Sequence, residues 1–446
     1  MKVMMLQRPQ LLAASALLII AALVMPARAQ YVEDSVFIGG SWVGSLAYNP
    51  SANVVYGCCE VQHGLFFAIS CSTNQVLSSW AVSSPVNVAY STFRNKAYCT
   101  LYNYGEDSVL VISGLTHQRI KGLYVPGALT SVWDPVDDRL YVACGDYNRI
   151  VMIDCRRDSV MGYIFCAGYP LKMYVNVPHR KLYTLNDDGL SVSVFDLMTR
   201  RELQTWGWGR VPWSGCYSEG LDRFYFGAEL ESIPVLSGST DSVTGYIRTS
   251  SGPVLSIATA DASNRVFLGV KNPWGGDPDT VMVADATTNQ ILYRHAVPRE
   301  PWVMFFSTAT QRLYCGHYYD TVTVFSADGS TLLHQLPVRQ SAFSMAYSPR
   351  SRRLYVGHLS YGWVYVIKDT ATVGIEEENR SGVPRMPGVT VLGGVMRVGR
   401  AASLVDVTGR TVVQLEAGEN DVNGLARGAY FVVSDGELVG KVLLVR

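Results

Sequence analysis

The chain has 446 residues, with 37 basic and 37 acidic side chains, so its formal net charge is zero. That balance excludes the basic footprint of a nucleic-acid binder and any strong pull toward an anionic membrane surface. Only 17% of residues are charged, while 26 Tyr and 40 Gly sit in a chain that is 48% hydrophobic. This is a composition suited to short β-strands and tight turns.

Residues 1–29 read as a signal peptide. Lys2 and Arg8 supply positive charge, "LLAASALLIIAALVM" (11–25) is the apolar stretch, and "ARA" (27–29) is a small-x-small cleavage site before Gln30. The apolar stretch is short of the ~20 residues that a spanning helix needs. No Cys follows the cleavage site and no later stretch is apolar enough to span a membrane. The expectation is therefore an exported mature chain without a membrane span.

Residues 30–369 repeat. Aligned on one aromatic anchor, the copies are "NVVYGCC" (Tyr56), "NKAYCTL" (Tyr98), "DRLYVAC" (Tyr141), "RKLYTLN" (Tyr183), "DRFYFGA" (Tyr225), "NRVFLGV" (Phe267), "QRLYCGH" (Tyr314) and "RRLYVGH" (Tyr355). The anchors lie 41 to 43 residues apart except for one step of 47, which contains the Gly/Pro-rich "NPWGGDPD" (272–279). Each unit reads as four short strands. In the third these are "ALTSVWDP" (128–135), "DDRLYVAC" (137–144), "NRIVMIDC" (148–155) and "VMGYIFCAG" (160–168). Four strands in about 40 residues is the signature of a propeller blade, which buries its faces only by stacking on neighbouring blades. The last unit offers three strands and then stops, while "DSVFIGG" (34–40) is a strand with no unit of its own. The predicted fold is all-β: a β-propeller of four-stranded blades, eight favoured and seven possible. Its N-terminal strand completes the last blade and removes an open sheet edge.

"YTLN" (183–186), "VFDLMT" (194–199), "VADATT" (283–288), "GYP" (168–170) and "GRVP" (209–212) carry a further likeness. They resemble the YVTN family of β-propeller repeats, over about three quarters of the chain. The resemblance implies the fold. It also brings an alternative function, that of a periplasmic or secreted enzyme of lactonase or quinone-dependent dehydrogenase type.

Composition changes after Asp369. Residues 370–388 mix an acidic run with Pro and Gly and read as a linker. Residues 389–446 carry a different β pattern, expected to form a small Ig-like β-sandwich. "DVTGRTV" (406–412), "GENDVNGLARGAY" (418–430) and "KVLLVR" (441–446) look like the C-terminal sorting domain of type IX secretion cargo. The matching residues are Asp406, Gly409, Arg410, Gly418, Asn420, Gly428, Tyr430 and Lys441. "MPGVTVLGG" stands where that family has an Asn-Pro pair. The resemblance implies outer-membrane secretion machinery as a partner. It also implies a destination in the medium or on the surface of a diderm bacterium, with the periplasm as the alternative.

Chemistry in the repeats is sparse. His317 and His358 end the anchor strands of adjacent units, and a pair of imidazoles near a Cys could hold a transition metal. No third ligand recurs there, so the reading is no metal and no cofactor. Trp213 and Trp302 each follow the Pro that leads into the first strand of a unit, a place near the mouth of the central channel. A tryptophan there can stack on a sugar or apolar ligand, or simply plug the channel. Trp213, Trp302, His317 and His358 are the candidate ligand-binding residues. The aromatics eight residues before the anchors, namely Tyr48, Tyr90, Trp133, Tyr217, Phe306 and Tyr347, read as packing between blades. The acidic turns "DPVDD" (134–138), "NDDG" (186–189) and "GGDPD" (275–279) lack the helix-loop-helix calcium spacing. No P-loop, G-x-S-x-G or HExxH motif is present. No catalytic residue is assigned. Nine Cys without a CxxC pair allow disulfides, Cys144 to Cys155 being one conceivable pair, or buried thiols. The function expected is a non-enzymatic exported propeller that binds or scaffolds a protein or carbohydrate.

Overall fold

The computed structural model describes residues 30–60, 64–105, 107–166, 168–228, 232–249, 252–272, 278–339 and 341–370. In a second unit it describes 389–392, 395–398, 401–405, 410–422, 425, 428–434 and 437–444. Residues 1–29, read above as a signal peptide, and residues 371–388 lie outside the described residues. The chain divides into compact units at residues 372 and 373.

The first unit is an eight-bladed β-propeller, each blade a four-stranded antiparallel sheet whose strands are called a to d from the inside out. Blades 1 to 7 begin at Trp42, Pro85, Ala128, Pro170, Ser214, Val254 and Pro301. Blade 8 takes strands a to c from Ala342–Ser348, Arg353–His358 and Trp363–Asp369, and its outer strand is the N-terminal Gln30–Phe37. That strand pairs antiparallel with Trp363–Asp369, from Gln30 opposite Asp369 to Phe37 opposite Trp363. Arg353 donates to both carboxylate oxygens of Glu33, at 2.5 and 2.9 Å, and ties the closing strand to strand b. The ring therefore closes within one sheet, and strand c of blade 8 keeps no unpaired edge for another chain.

The repeat anchors explain the stacking. Tyr56, Tyr98, Tyr141, Tyr183, Tyr225, Phe267, Tyr314 and Tyr355 all lie in strand b with no exposed surface. Their rings fill the wedge between blades, and several hydroxyls reach the next blade. Tyr98 donates to Asp158 at 3.0 Å, Tyr183 to Asp241 at 3.2 Å, and Tyr355 to Asn74 across the closure at 2.9 Å.

Polar clasps join every pair of neighbours on the face opposite the entry of the inner strands, each using the turn between strands a and b of one blade. Asn49 donates to Asn95, Ser91 to Asp138, Arg180 to Asp134, Ser218 to Asp261, Ser263 to the Ala327 carbonyl, Thr310 to Asp369 and Ser348 to Asn53. His179 meets Asp222 at 2.9 Å at the remaining joint. The last residue of each turn between strands a and b is left-handed: Asn53, Asn95, Asp138, Arg180, Asp222, Asn264, Gln311 and Arg352. Asn and Asp tolerate that conformation better than most side chains, which accounts for five of the eight.

The nine cysteines are thiols, none of them joined in a disulfide. Cys144 and Cys155 cannot bridge, because strand pairing sets Cys144 opposite Arg149 while Cys155 lies just past Asp154 at the far end of the hairpin. That separation is roughly 20 Å at about 3.3 Å per residue, beyond any disulfide.

The second unit holds a three-stranded and a four-stranded antiparallel sheet. Its core contains Ala402, Leu404, Leu415, Val422 and Tyr430. Asn420 donates to the carbonyls of Glu416 and Gly418 and accepts from the Glu416 N–H, which pins a tight turn. Arg410 is exposed. Gly418 and Gly428 open strands and Lys441 lies within one, while Asp406 and Gly409 fall outside the described residues.

Candidate functional site: the channel mouth and its tyrosine sector

The inner strands all enter the ring from one face, which also carries the connections between strands b and c. Near this mouth the pairing of strands a and b slips in seven blades: between Val43 and Ser45, Pro85 and Asn87, Ala128 and Ser131, Pro170 and Lys172, Val254 and Ser256, Pro301 and Val303, and Ala342 and Ser344. A bulge of this kind leaves a residue out of the ladder and re-aims its side chain. The position twelve residues before each anchor is Gly44, Val86, Leu129, Leu171, Trp213, Leu255, Trp302 or Phe343. None is polar. Trp213 and Trp302 thus belong to one structural column, an apolar collar where the channel opens.

The collar has contacts of its own. Trp213 is 37% exposed. Trp302 is half-buried, its indole N–H donates to Glu300 at 3.0 Å, and Glu300 is held by Lys271 at 2.6 Å. The Trp302 ring lies 6.2 Å from Phe343, which lies 5.2 Å from Trp42, so blades 7, 8 and 1 share a continuous aromatic strip. Phe343 and Trp42 were missed in the sequence, although Phe343 has the same offset from its anchor as the two tryptophans.

The histidines are placed differently. His317 and His358 end strand b in adjacent blades, but both are fully buried and neither reaches the surface of the mouth. His317 shares a 2.8 Å hydrogen bond with Thr323, and burial pushes its imidazole down to about 4, so it is neutral near pH 7. His358 packs against the Tyr365 ring at 4.6 Å. Among the described residues no group of three His, Cys, Asp or Glu could hold a metal ion.

The same face carries a second feature that the repeats do not announce. Connections from three neighbouring blades gather tyrosines around Asp146. Tyr102 and Tyr104, after strand b of blade 2, both donate to its Oδ2, at 2.9 and 2.7 Å. The bond to Asp146 pushes the Tyr104 hydroxyl up, so it stays a donor in neutral solution. Tyr147 lies 6.5 Å from Tyr104. Tyr169 is left-handed (φ 42°) and lays its ring over Gly145, where a Cβ would fall 2.7 Å from the ring. Only glycine admits that approach. Beside this group the Arg149 guanidinium lies 4.6 Å from the Tyr147 ring and 5.5 Å from Tyr163, and Tyr163 meets Phe165 edge-on at 5.0 Å. Tyr104, Tyr124, Tyr147, Tyr163 and Phe165 are 56, 61, 42, 52 and 71% exposed. Open rings with fixed donors and one carboxylate form a surface that stacks and hydrogen-bonds at once.

Fold and mouth together define a closed eight-bladed propeller with an aromatic rim. Neither protein-family models nor curated proteins match the chain. Solved structures do, at the level of the fold. A computationally designed protein, Ika8, aligns at a TM-score of 0.59 and 17% identity, covering 74% of this chain and 97% of its own. Sqt1 of Saccharomyces cerevisiae aligns at 0.63 and 10% identity, covering 76% and 98%. The dihydro-heme d1 dehydrogenase NirN, in complex with DHE, aligns at 0.55 and 15% identity, covering 68% and 67%. At these identities the likeness speaks for architecture alone.

Proposed function

We propose that this protein is an exported, non-enzymatic binding module that holds a carbohydrate on the mouth face of its propeller, with residues 389–446 acting as a secretion address. The observation that carries the reading is the pair of exposed rings of Tyr104 and Tyr147 beside Asp146. Exposed aromatic rings stack on the C–H faces of sugars, while carboxylate, hydroxyl and guanidinium groups take the sugar hydroxyls. Their arrangement on connections held by a rigid scaffold suits recognition. The YVTN-like repeats and the sorting-domain likeness of the C-terminal segment support delivery to the cell surface or the medium. The likeness in fold to a dehydrogenase transfers no activity at 15% identity.

The test is a glycan array probed with the mature protein, followed by titration of the strongest hit against the Tyr104→Ala/Tyr147→Ala double variant. Loss of binding by tenfold or more at unchanged melting temperature supports the reading. An array without hits, or full binding by the double variant, overturns it.

A further inference from the structure

The eight inner strands carry two charged side chains in all, Asp134 and Lys172. Asp134 is fully buried at the far end of its strand, and Arg180 holds it at 2.9 and 3.0 Å. Lys172 is different. It lies near the mouth in the inner strand of blade 4, Pro170–Asn176, and is exposed to solvent. Protein nevertheless surrounds it closely enough that desolvation pulls its ammonium below the usual lysine range. Its place on the innermost strand of its blade sets it at the wall of the central channel.

Its position has a structural use. Eleven residues before the anchors the chain places Ser45, Asn87, Thr130, Lys172, Ser214, Ser256, Val303 and Ser344. Several of these side chains clasp the next blade by donating to a carbonyl at the start of its inner strand. Thr130 reaches Leu171 at 2.8 Å, Ser214 reaches Val254 at 3.0 Å, Ser256 reaches Pro301 at 2.6 Å and Ser344 reaches Val43 at 2.9 Å. Lys172 makes the equivalent bond to the Trp213 carbonyl at 2.7 Å. A serine or threonine serves that purpose at four other joints. Lysine brings a full positive charge and two further N–H donors, and no carboxylate pairs with it among the described residues.

Beside it the wall is apolar: Leu171 next in the strand, and Trp213, whose carbonyl it holds, on the next blade. Tyr174, two residues along the strand, is occupied, accepting the Gly215 N–H at 3.0 Å. A single cation without a carboxylate partner beside apolar side chains is the pattern of a site with one orienting charge.

We propose that the channel mouth between blades 4 and 5 binds a small organic carboxylate, its charge on Lys172 and its apolar body along Leu171 and Trp213. This site is separate from the tyrosine sector and does not depend on the carbohydrate reading.

The test is calorimetric titration of the mature protein with 4-phenylbutyrate and with its neutral counterpart 4-phenylbutanol. The acid is expected to bind at least tenfold more tightly than the alcohol. Lys172→Ser restores the residue that the repeat uses elsewhere, so it keeps the clasp and removes the charge. It is expected to lose acid binding by tenfold or more at an unchanged melting temperature, while Lys172→Arg retains it. Trp213→Ala weakens acid and alcohol alike. Absence of saturable acid binding, equal affinity for acid and alcohol, or Lys172→Ser binding as tightly as the parent overturns the proposal. The comparison of acid with alcohol needs no variant, so it decides the charge requirement even where a substitution unfolds the chain.

Discussion

Anchor tyrosines that look identical in the sequence do different work. Tyr355 donates to Asn74 across the ring closure, whereas the buried Tyr225 hydroxyl has no hydrogen-bond partner. Tyr355→Phe leaves the Asn74 oxygen buried and unpaired and should cost about 1–2 kcal/mol. Tyr225→Phe removes a desolvated hydroxyl and should be neutral or stabilising. Denaturant unfolding of the two variants side by side checks the contrast. His317 supplies a pH test. Its folded value of about 4 lies below the unfolded value near 6.5 because burial disfavours the imidazolium. Between those values the unfolded chain binds a proton that the folded chain refuses. Stability therefore rises with pH across that window and is lost on acidification, by up to about 3 kcal/mol. His317→Gln, which can still bond Thr323, should flatten the stability profile between pH 4 and 6.5. An unchanged slope would show that the ring titrates freely in the fold.

At the scale of elements, the closing strand is the most exposed dependency. Gln30–Phe37 covers the edge of Trp363–Asp369 and brings Glu33 to Arg353. A chain starting at Ile38 keeps seven complete blades but exposes a strand edge and leaves Arg353 without its carboxylate. It should melt lower and form dimers or larger species by size-exclusion chromatography. A monomer of unchanged melting temperature would mean that the closure is dispensable. The strand was legible in the sequence because blade 8 visibly lacked a fourth strand and "DSVFIGG" visibly lacked a sheet. The bulges at the mouth were not legible. A residue left out of the ladder has no local signature, so Leu171, Leu255 and Phe343 read as ordinary strand residues until pairing put them in one column with Trp213 and Trp302.

At the scale of the molecule, the regular spacing of the anchors gave away the eight-bladed ring, because each blade must present the same wedge of side chains to its neighbour. The tyrosine sector left no such trace. Tyr104, Asp146 and Tyr169 come from connections in three blades with no common offset, and only the ring brings them together. Lys172 was hidden for the opposite reason, since it stands in a column of polar residues with an evident structural duty. Thiol accessibility reports on the ring as a whole. Eight of the nine cysteines are buried and Cys216 is half-buried, with burial pushing its thiol up to about 11. The native protein should react slowly, with at most about one equivalent of Ellman's reagent, and release nine in denaturant. Several fast equivalents under native conditions would show that the blades part readily.

The closing strand also has a consequence in time. Gln30 and Asp369 hydrogen-bond across 339 residues of sequence. The strand made first at the ribosome is thus the last to find its partner, and a contact of such separation is slow to form. Until then the nascent propeller is an open arc with one unsatisfied strand edge. A circular permutant that places residues 30–37 directly after residue 369 turns this long-range closure into a local hairpin. It should refold faster than the parent while reaching the same native structure.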